Sequence, residues 1–459
     1  MERIIKNRYI GSRNFYKSVI LIGVPVMVQA LLQSLVSLID SFMVAGLGDV
    51  KMAGVNISGQ ILYIFMVLQT AVCTSGGIYM TQYFGAKDKK GMKQSFAFKV
   101  VVSFSMIFLY FLVTFVWNRK ILSLMVIGNS QAEMILDHGQ EYMFLMGFVG
   151  IQMVISYIIA SSYREIGKVK IPLIITVSAA IINTFLNWVL IYGNLGMPRL
   201  EIRGAAYATI IARTVEMMLF VIYTMIDKPD FIGLSVFRNI DWKLFGEILK
   251  KGSLLIISQL LWVASESVTT AIYNGRGGAD VVSGMAASFS IANLFFISFS
   301  GINTATSVVI GKSLGAGKLE QARKEKTWML SAALVFGTLM TFVGFATTAL
   351  VPVVYRQLSF ASQGICRSML IVISILMPVW IYVNTQLSVT KAGGDTKVCM
   401  LVDGIVSIIV IPYLLVLAHY TTLSPMAMYL LVKMLDFGKV AIAQYELKRE
   451  KWVVNLSAR

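Results

Sequence analysis

The sequence predicts an all-α polytopic membrane protein, with twelve transmembrane helices in two pseudo-symmetric six-helix bundles. Three observations carry this. Of 459 residues, 57% are hydrophobic and 14% charged, more apolar surface than a soluble domain of this size could hide. Apolar runs of about 20 residues or more recur from end to end, each long enough to cross roughly 30 Å of hydrocarbon as a helix. Finally, QYFGAKDKKGMKQS, from Gln82 to Ser95, is echoed by KSLGAGKLEQARKE, from Lys312 to Glu325.

The expected spans centre on residues 19–45, 52–82, 94–117, 138–162, 170–192, 204–226, 253–273, 282–311, 327–350, 364–390, 398–418 and 425–446. The first follows the basic leader MERIIKNRYIGSRNFYKS. It is too long for a signal-peptide core and no small-residue cleavage site follows, so an uncleaved helix is expected. The second opens at Gly54 and ends on the Gly85-Ala86 turn, and KDKKGMKQ leads into the third. SSYREIGKVKIP (161–172) closes the fourth, LNWVLIYG lies in the fifth and RGAAYATIIAR (203–213) in the sixth. The polar stretch 227–252 reads as a linker. The seventh holds Glu266 in WVASESVTT, and the eighth opens at Gly284 and ends on Gly315-Ala316, before the basic start of the ninth. The tenth reads SILMPVWIYVNTQLSV, SVTKAGGDTKVC (388–399) leads to Asp403 in the eleventh, and the twelfth carries Lys433 and Asp436. The runs are continuously apolar rather than alternating, which excludes barrel strands.

A formal charge of +17 raises the question of an acidic partner, but the topology answers it. Most of the 40 Lys and Arg fall in the N-terminus, the even-to-odd loops and the C-terminal tail. That asymmetry is the positive-inside bias, and it predicts a multi-pass protein of the cell (inner) membrane with both termini cytoplasmic. The basic loops lack interleaved stacking aromatics, so nucleic acid is not an expected partner. Cys73, Cys366 and Cys399 are scattered apolar fillers without a CxxC, and His138 and His419 form no ligand cluster. No HExxH, GxSxG or Gly-rich phosphate loop is present, which speaks against an enzyme and against ATP hydrolysis on this chain. No cofactor is expected.

The offset of about 230 residues recurs. Gly54 matches Gly284, Gly23 falls within one residue of Gly252, and SSYREIGKVKIP resembles SVTKAGGDTKVC. Arg213 and Glu216 stand three apart, as do Lys433 and Asp436. The expected organisation is an N-lobe (1–226), a cytoplasmic linker (227–252) and a C-lobe (253–459). Six spans per half make the halves parallel, related by an axis along the membrane normal, an arrangement suited to alternating access.

The turns GAKDKKGMKQ and GAGKLEQARK, together with LNWVLIYG and RGAAYATIIAR, resemble the multidrug and toxic compound extrusion (MATE) family over nearly the whole chain. The resemblance implies a secondary antiporter with two six-helix lobes, exporting organic cations and other amphiphiles against inward H⁺ or Na⁺. The alternatives are a lipid or polysaccharide flippase of the same superfamily and a membrane-embedded enzyme. A monomer in membrane lipid is expected.

Ionisable groups inside hydrocarbon cost several kcal/mol unless a cavity or partner receives them, so each is a functional candidate. Asp40 lies deep in the first span, in SLVSLIDSFMVAG. Pro25, without an N–H, is a candidate hinge of that helix. Asn183 and Asn187 stand one turn apart on the fifth span and Thr209 lies on the sixth. Their oxygens are hard ligands that Na⁺ accepts and that a protonated carboxyl can hydrogen-bond. On the family's pattern Asp40, Asn183, Asn187 and Thr209 match a cation-coupling site, able to hold Na⁺. Some relatives carry Asp where Asn187 stands, so H⁺ and Na⁺ both stay open.

Glu266 is the second isolated acid. It resembles a helix-seven Glu that, in one branch of the family, shares a cation site with an Asp of helix ten, but the tenth span here has no acid. Arg213 with Glu216 and Lys433 with Asp436 are expected to neutralise themselves at i,i+3. Gln29, Gln33, Tyr63 and Gln69 are the expected cavity residues, with Met and Phe as adaptable apolar contacts.

Overall fold

A computed structural model describes residues 9–126, 131–276 and 278–458; the first eight residues of the basic leader lie outside them. Among the described residues there is no strand. The membrane helices are α1 (Arg13–Ala45), α2 (Asp49–Ala86), α3 (Lys89–Phe111), α4 (Ala132–Gly147 and Val149–Glu165), α5 (Lys170–Tyr192), α6 (Glu201–Asp227), α7 (Trp242–Arg276), α8 (Ala279–Gly315), α9 (Leu319–Thr348), α10 (Phe360–Ala392), α11 (Lys397–Tyr420) and α12 (Pro425–Lys448). Wider π turns extend α3 over Leu112–Val116 and lie within α11 over Met400–Ile405.

Ten of these helices are long and apolar enough to cross a membrane singly. α4 does so as a pair bent by 50°. The break has a local cause: Gly147 has a phenyl ring of Phe115 where a side chain would stand, and the N–H of Phe148 tightens onto Leu145 O at 3.2 Å, a 3₁₀-type bond that turns the axis. α12 has the length, 24 residues, but Lys433, Asp436 and Lys439 interrupt its apolar surface.

Several helices begin earlier than expected: α1 at Arg13 rather than 19, α3 at Lys89 rather than 94, α4 at Ala132 rather than 138 and α9 at Leu319 rather than 327. α7 begins at Trp242, so its first turns occupy residues expected as linker. Asp241 explains the start, since its carboxylate accepts from the N–H groups of Lys243 and Leu244 at 3.1 Å each. This is an N-cap for donors that a helix end leaves free.

By packing, the chain forms two units. One contains Met1–Met27, Thr81–Asp88 and Leu249–Arg459; the other contains Val28–Met80 and Lys89–Ile248. In the first, α10 is the central helix, against α8, α9 and α12. Met369, Ile373, Met377 and Ile381, at four-residue spacing, are each 0% exposed, a stripe on one face. In the second unit α5 packs along α6. Gly204, Ala208 and Ala212 repeat at the same spacing on α6, and Gly204 lies against the Leu190 backbone. In lipid, where apolar surface gains little by leaving the solvent, such small residues let helices approach closely. This contact sets the neighbouring polar groups of α5 and α6 face to face.

Candidate functional site

The close α5–α6 contact carries Asn183 to within 3.4 Å of Thr209, its amide donating to the Thr209 oxygen. The Thr209 hydroxyl in turn donates to Ala205 O at 2.9 Å. One turn further along α5, Asn187 donates to Asp40 Oδ1 of α1 at 2.8 Å, and its nitrogen also lies 3.5 Å from Asn183 Oδ1. Three helices therefore place one carboxylate and three neutral oxygen-bearing groups in a chain. Asn187 is 2% exposed and Asn183 9%. Asn187 Oδ1 is buried without a hydrogen-bond partner, a penalty of about 1–3 kcal/mol for a protein amide left unsatisfied. An orphaned acceptor beside a carboxylate fits a small cation or the proton of a neutralised carboxyl.

Beside this site Arg213 holds Glu216 at 2.7 Å, as its spacing predicts. Among the described residues no group of three or more His, Cys, Asp or Glu could hold a metal, so any ion here would rest on one carboxylate and amide oxygens.

The remaining expected residues are not brought together with Asp40. Gln29 is buried and donates to Thr176 on α5 at 3.1 Å. Gln69 is buried and donates to Ser103 on α3 at 2.9 Å. Gln33 and Tyr63 are exposed. Pro25 lies inside an unbroken α1, and the packing allegiance of that helix changes two residues later, between Met27 and Val28.

Glu266 is isolated only in the sequence. Its carboxylate meets the Lys433 ammonium of α12 at 3.2 Å. The expected pairing of Lys433 with Asp436 is corrected: Asp436 takes Lys439 at 3.2 Å and the indole N–H of Trp380 at 2.8 Å. Helical spacing brings Lys433 and Asp436 onto one face, but each finds better-placed partners on other turns and helices.

One buried ion pair was missed in the sequence. Lys99 of α3, 0% exposed at its side chain, binds Glu165 at the end of α4 and donates to Ser162 at 3.1 Å. Gly76 and Gly77 of α2 leave the room, since a β-carbon on either would strike Lys99 or Glu165. The signal was the doublet of glycines opposite a lysine inside an apolar run.

Comparison with known proteins agrees with this architecture. The family profile described as MatE matches residues 25–189 and 255–416. The chain is 25% identical over 319 residues to the "Probable multidrug resistance protein NorM" of Thermotoga maritima, covering 69% of this chain and 67% of that one. It is 21% identical over 450 residues to the "Multidrug export protein MepA" of Staphylococcus saprophyticus, covering 97% of each. Among solved structures, the Vibrio cholerae MATE transporter VcmN in the bent form superposes with a TM-score of 0.83 at 17% identity, over 96% of this chain and 99% of that one. A MATE structure in the straight conformation gives 0.81 at 16% identity, over 96% of each chain. With both halves matched by one profile and the fold shared along nearly its whole length, the chain belongs to the MatE family of transporters.

Proposed function

We propose that this transporter is a secondary multidrug exporter, exchanging inward H⁺ or Na⁺ for organic cations or amphiphilic drugs by alternating access. The observation that carries the reading is the hydrogen-bonded chain from Asp40 through Asn187 and Asn183 to Thr209, with its orphaned Asn187 oxygen. A carboxylate in this setting has two stable conditions, charged and cation-bound, and the energy between them is what a gradient can drive. The coupling cation is a co-substrate: Asp40 accepts it, Asn187 orients the carboxylate, and Asn183 and Thr209 fix the rotamer of Asn187. The names of the NorM and MepA relatives support drug-like substrates.

The repeat supports lobes at 1–226 and 253–459, and the charge asymmetry supports a cell-membrane protein with cytoplasmic termini. The change in packing of α1 just beyond Pro25 supports a hinge there. Gln33 and Tyr63, exposed on α1 and α2, are the residues we assign to substrate; Gln29 and Gln69 shape the walls behind them. The chain is proposed to act as a monomer.

Everted membrane vesicles loaded by a dye efflux assay test this. Imposing a pH gradient or a Na⁺ gradient separately should drive accumulation with one of them, and Asp40→Asn should remove the response. Accumulation that requires ATP and ignores both gradients would overturn the proposal.

A further inference from the structure

Lys433 of α12 pairs with Glu266 of α7. Its ammonium is 3.2 Å from Glu266 and 5.5 Å from the ring centre of Tyr429, and its side chain is 17% exposed. The pocket around the pair is lined by Trp262, Ser265, Thr269 and Ser407, and the Thr269 hydroxyl, on a residue 4% exposed, has no hydrogen-bond partner. Deeper on α12, Lys439 lies 3.2 Å from Asp436 and 3.8 Å from Asp403 of α11. Tyr273 of α7 and Trp380 of α10 complete the surroundings. Lys433 thus answers Glu266, while Lys439 is shared between Asp436 and Asp403.

We infer that Lys433 is a tethered substitute for a coupling cation, so that Glu266 takes up no H⁺ or Na⁺ and the exchange is set by Asp40 alone. This rests on the exporter reading for its consequence, but not for its test. A tethered ammonium on a packed helix competes at an effective concentration of mM or above. The Glu266 side chain is 41% exposed, and an arriving ion would have to displace the Lys433 ammonium already held at 3.2 Å from its carboxylate. The other acid lining this pocket, Asp436, is already held by Lys439 at 3.2 Å. Lys433 is therefore a specificity-determining residue: it lowers the number of cations the protein can bind, without touching those bound at Asp40.

The test counts cations on the purified full-length protein, with no substrate present. Proton uptake between pH 8 and pH 5.5 is measured by difference titration, and Na⁺ by equilibrium binding of ²²Na⁺. Wild type and Glu266→Gln should bind the same number of cations. Lys433→Gln should bind one more, and the double variant Lys433→Gln with Glu266→Gln should lose it again, while Lys433→Arg should match wild type. If Glu266→Gln binds one cation fewer than wild type, Glu266 is a free ion site and the inference is wrong. That comparison decides the matter even if Lys433→Gln does not fold. An unchanged count in a folded Lys433→Gln would also overturn it. Asp40→Asn binding as many cations as wild type would sink the Asp40 assignment instead, leaving this one standing.

Discussion

Gly315 lies against the Gln82 carbonyl as closely as Gly85 lies against that of Lys312, and neither glycine has room for a β-carbon. Gln82 and Lys312 are counterparts in the repeat, as are Gly85 and Gly315, so the two related turns cross reciprocally, residue for residue. Self-complementary contact of this kind is what a two-fold axis produces. The crossing is tied down from the C-terminus. Gln82 donates to Ala392 O at 2.7 Å and accepts from the Leu456 N–H at 2.7 Å, Ser457 donates to Gly315 O at 3.2 Å, and Trp452 is 0% exposed. The two copies of the turn pack on each other.

Gly315→Ala should therefore be among the most damaging one-methyl changes in the protein. The obstructing atoms are backbone on a neighbouring turn and cannot swing aside, so the loss should reach the upper end of about 1–3 kcal/mol for overpacking. Thermal unfolding of detergent-solubilised protein checks this, with Gly59→Ala as control because nothing lies within 4 Å of that position. Equal melting temperatures for the two variants would mean that the turns are not held together.

Lys99→Met should destabilise the protein by about 3–5 kcal/mol, since it leaves Glu165 without its ammonium in a dry setting. Adding Glu165→Gln should recover much of the loss, because both charges are then gone. A double-mutant cycle by thermal unfolding measures the coupling. Additive losses would show that the two side chains act independently.

Asp395, in the turn between α10 and α11, gives a pH test outside the membrane. Burial, with help from Glu446, raises its carboxyl above the ordinary Asp range, against the pull of Lys451, Lys397 and Lys251. A raised folded pKa means that the folded state holds the proton more tightly. The stability this provides is present at pH below the unfolded value and is lost as pH rises through the folded one. Asp395→Asn, which is neutral throughout, should then raise the melting temperature at pH 7.5 relative to wild type and lose that advantage near pH 4. A benefit of the same size at both pH values would rule out ionisation as its cause.

Pro25→Ala restores an N–H inside α1 and should stiffen the helix where its packing changes hands. Export should fall while expression stays near normal, as read by dye efflux and by the amount of protein in the membrane. Unchanged efflux would make the proline incidental, since neighbouring helices can satisfy a carbonyl that proline leaves bare.

Much of this was legible in the residues. Apolar run length located the helices, because lipid demands that each span satisfy its own backbone. Asp40, Asn183, Asn187 and Thr209 were grouped by the family resemblance, and hydrogen bonds link them in the fold. Partner choice was not legible. Local spacing shows that Lys433 can reach Asp436, but Glu266 is 167 positions away, and only the packing of α7 on α12 decides between them. Lys99 and Glu165 were hidden for the same reason, since they stand 66 positions apart. The start of α7 had a visible signal in Asp241, which the polarity of the surrounding stretch obscured.

The central prediction concerns the pair Asp40 and Asn187. Asp40→Asn preserves shape, and its carboxamide oxygen can still accept from Asn187 Nδ2 across the 2.8 Å contact, so folding and substrate binding should persist. Its charge is fixed at zero, which holds the site permanently in the cation-bound condition and should abolish gradient-driven efflux. Glu266→Gln should lower transport or alter which substrates are carried, yet leave ion-driven activity, because Lys433 already answers that acid. Asn187→Asp does the opposite of Asp40→Asn: two carboxylates in contact cannot both stay charged without a cation between them. The site should then hold a proton or Na⁺ at higher pH, moving the pH profile of efflux to the alkaline side. Transport assays across pH with each cation gradient read all three variants. Normal efflux in Asp40→Asn with a dead Glu266→Gln would mean that coupling resides in the other half of the chain.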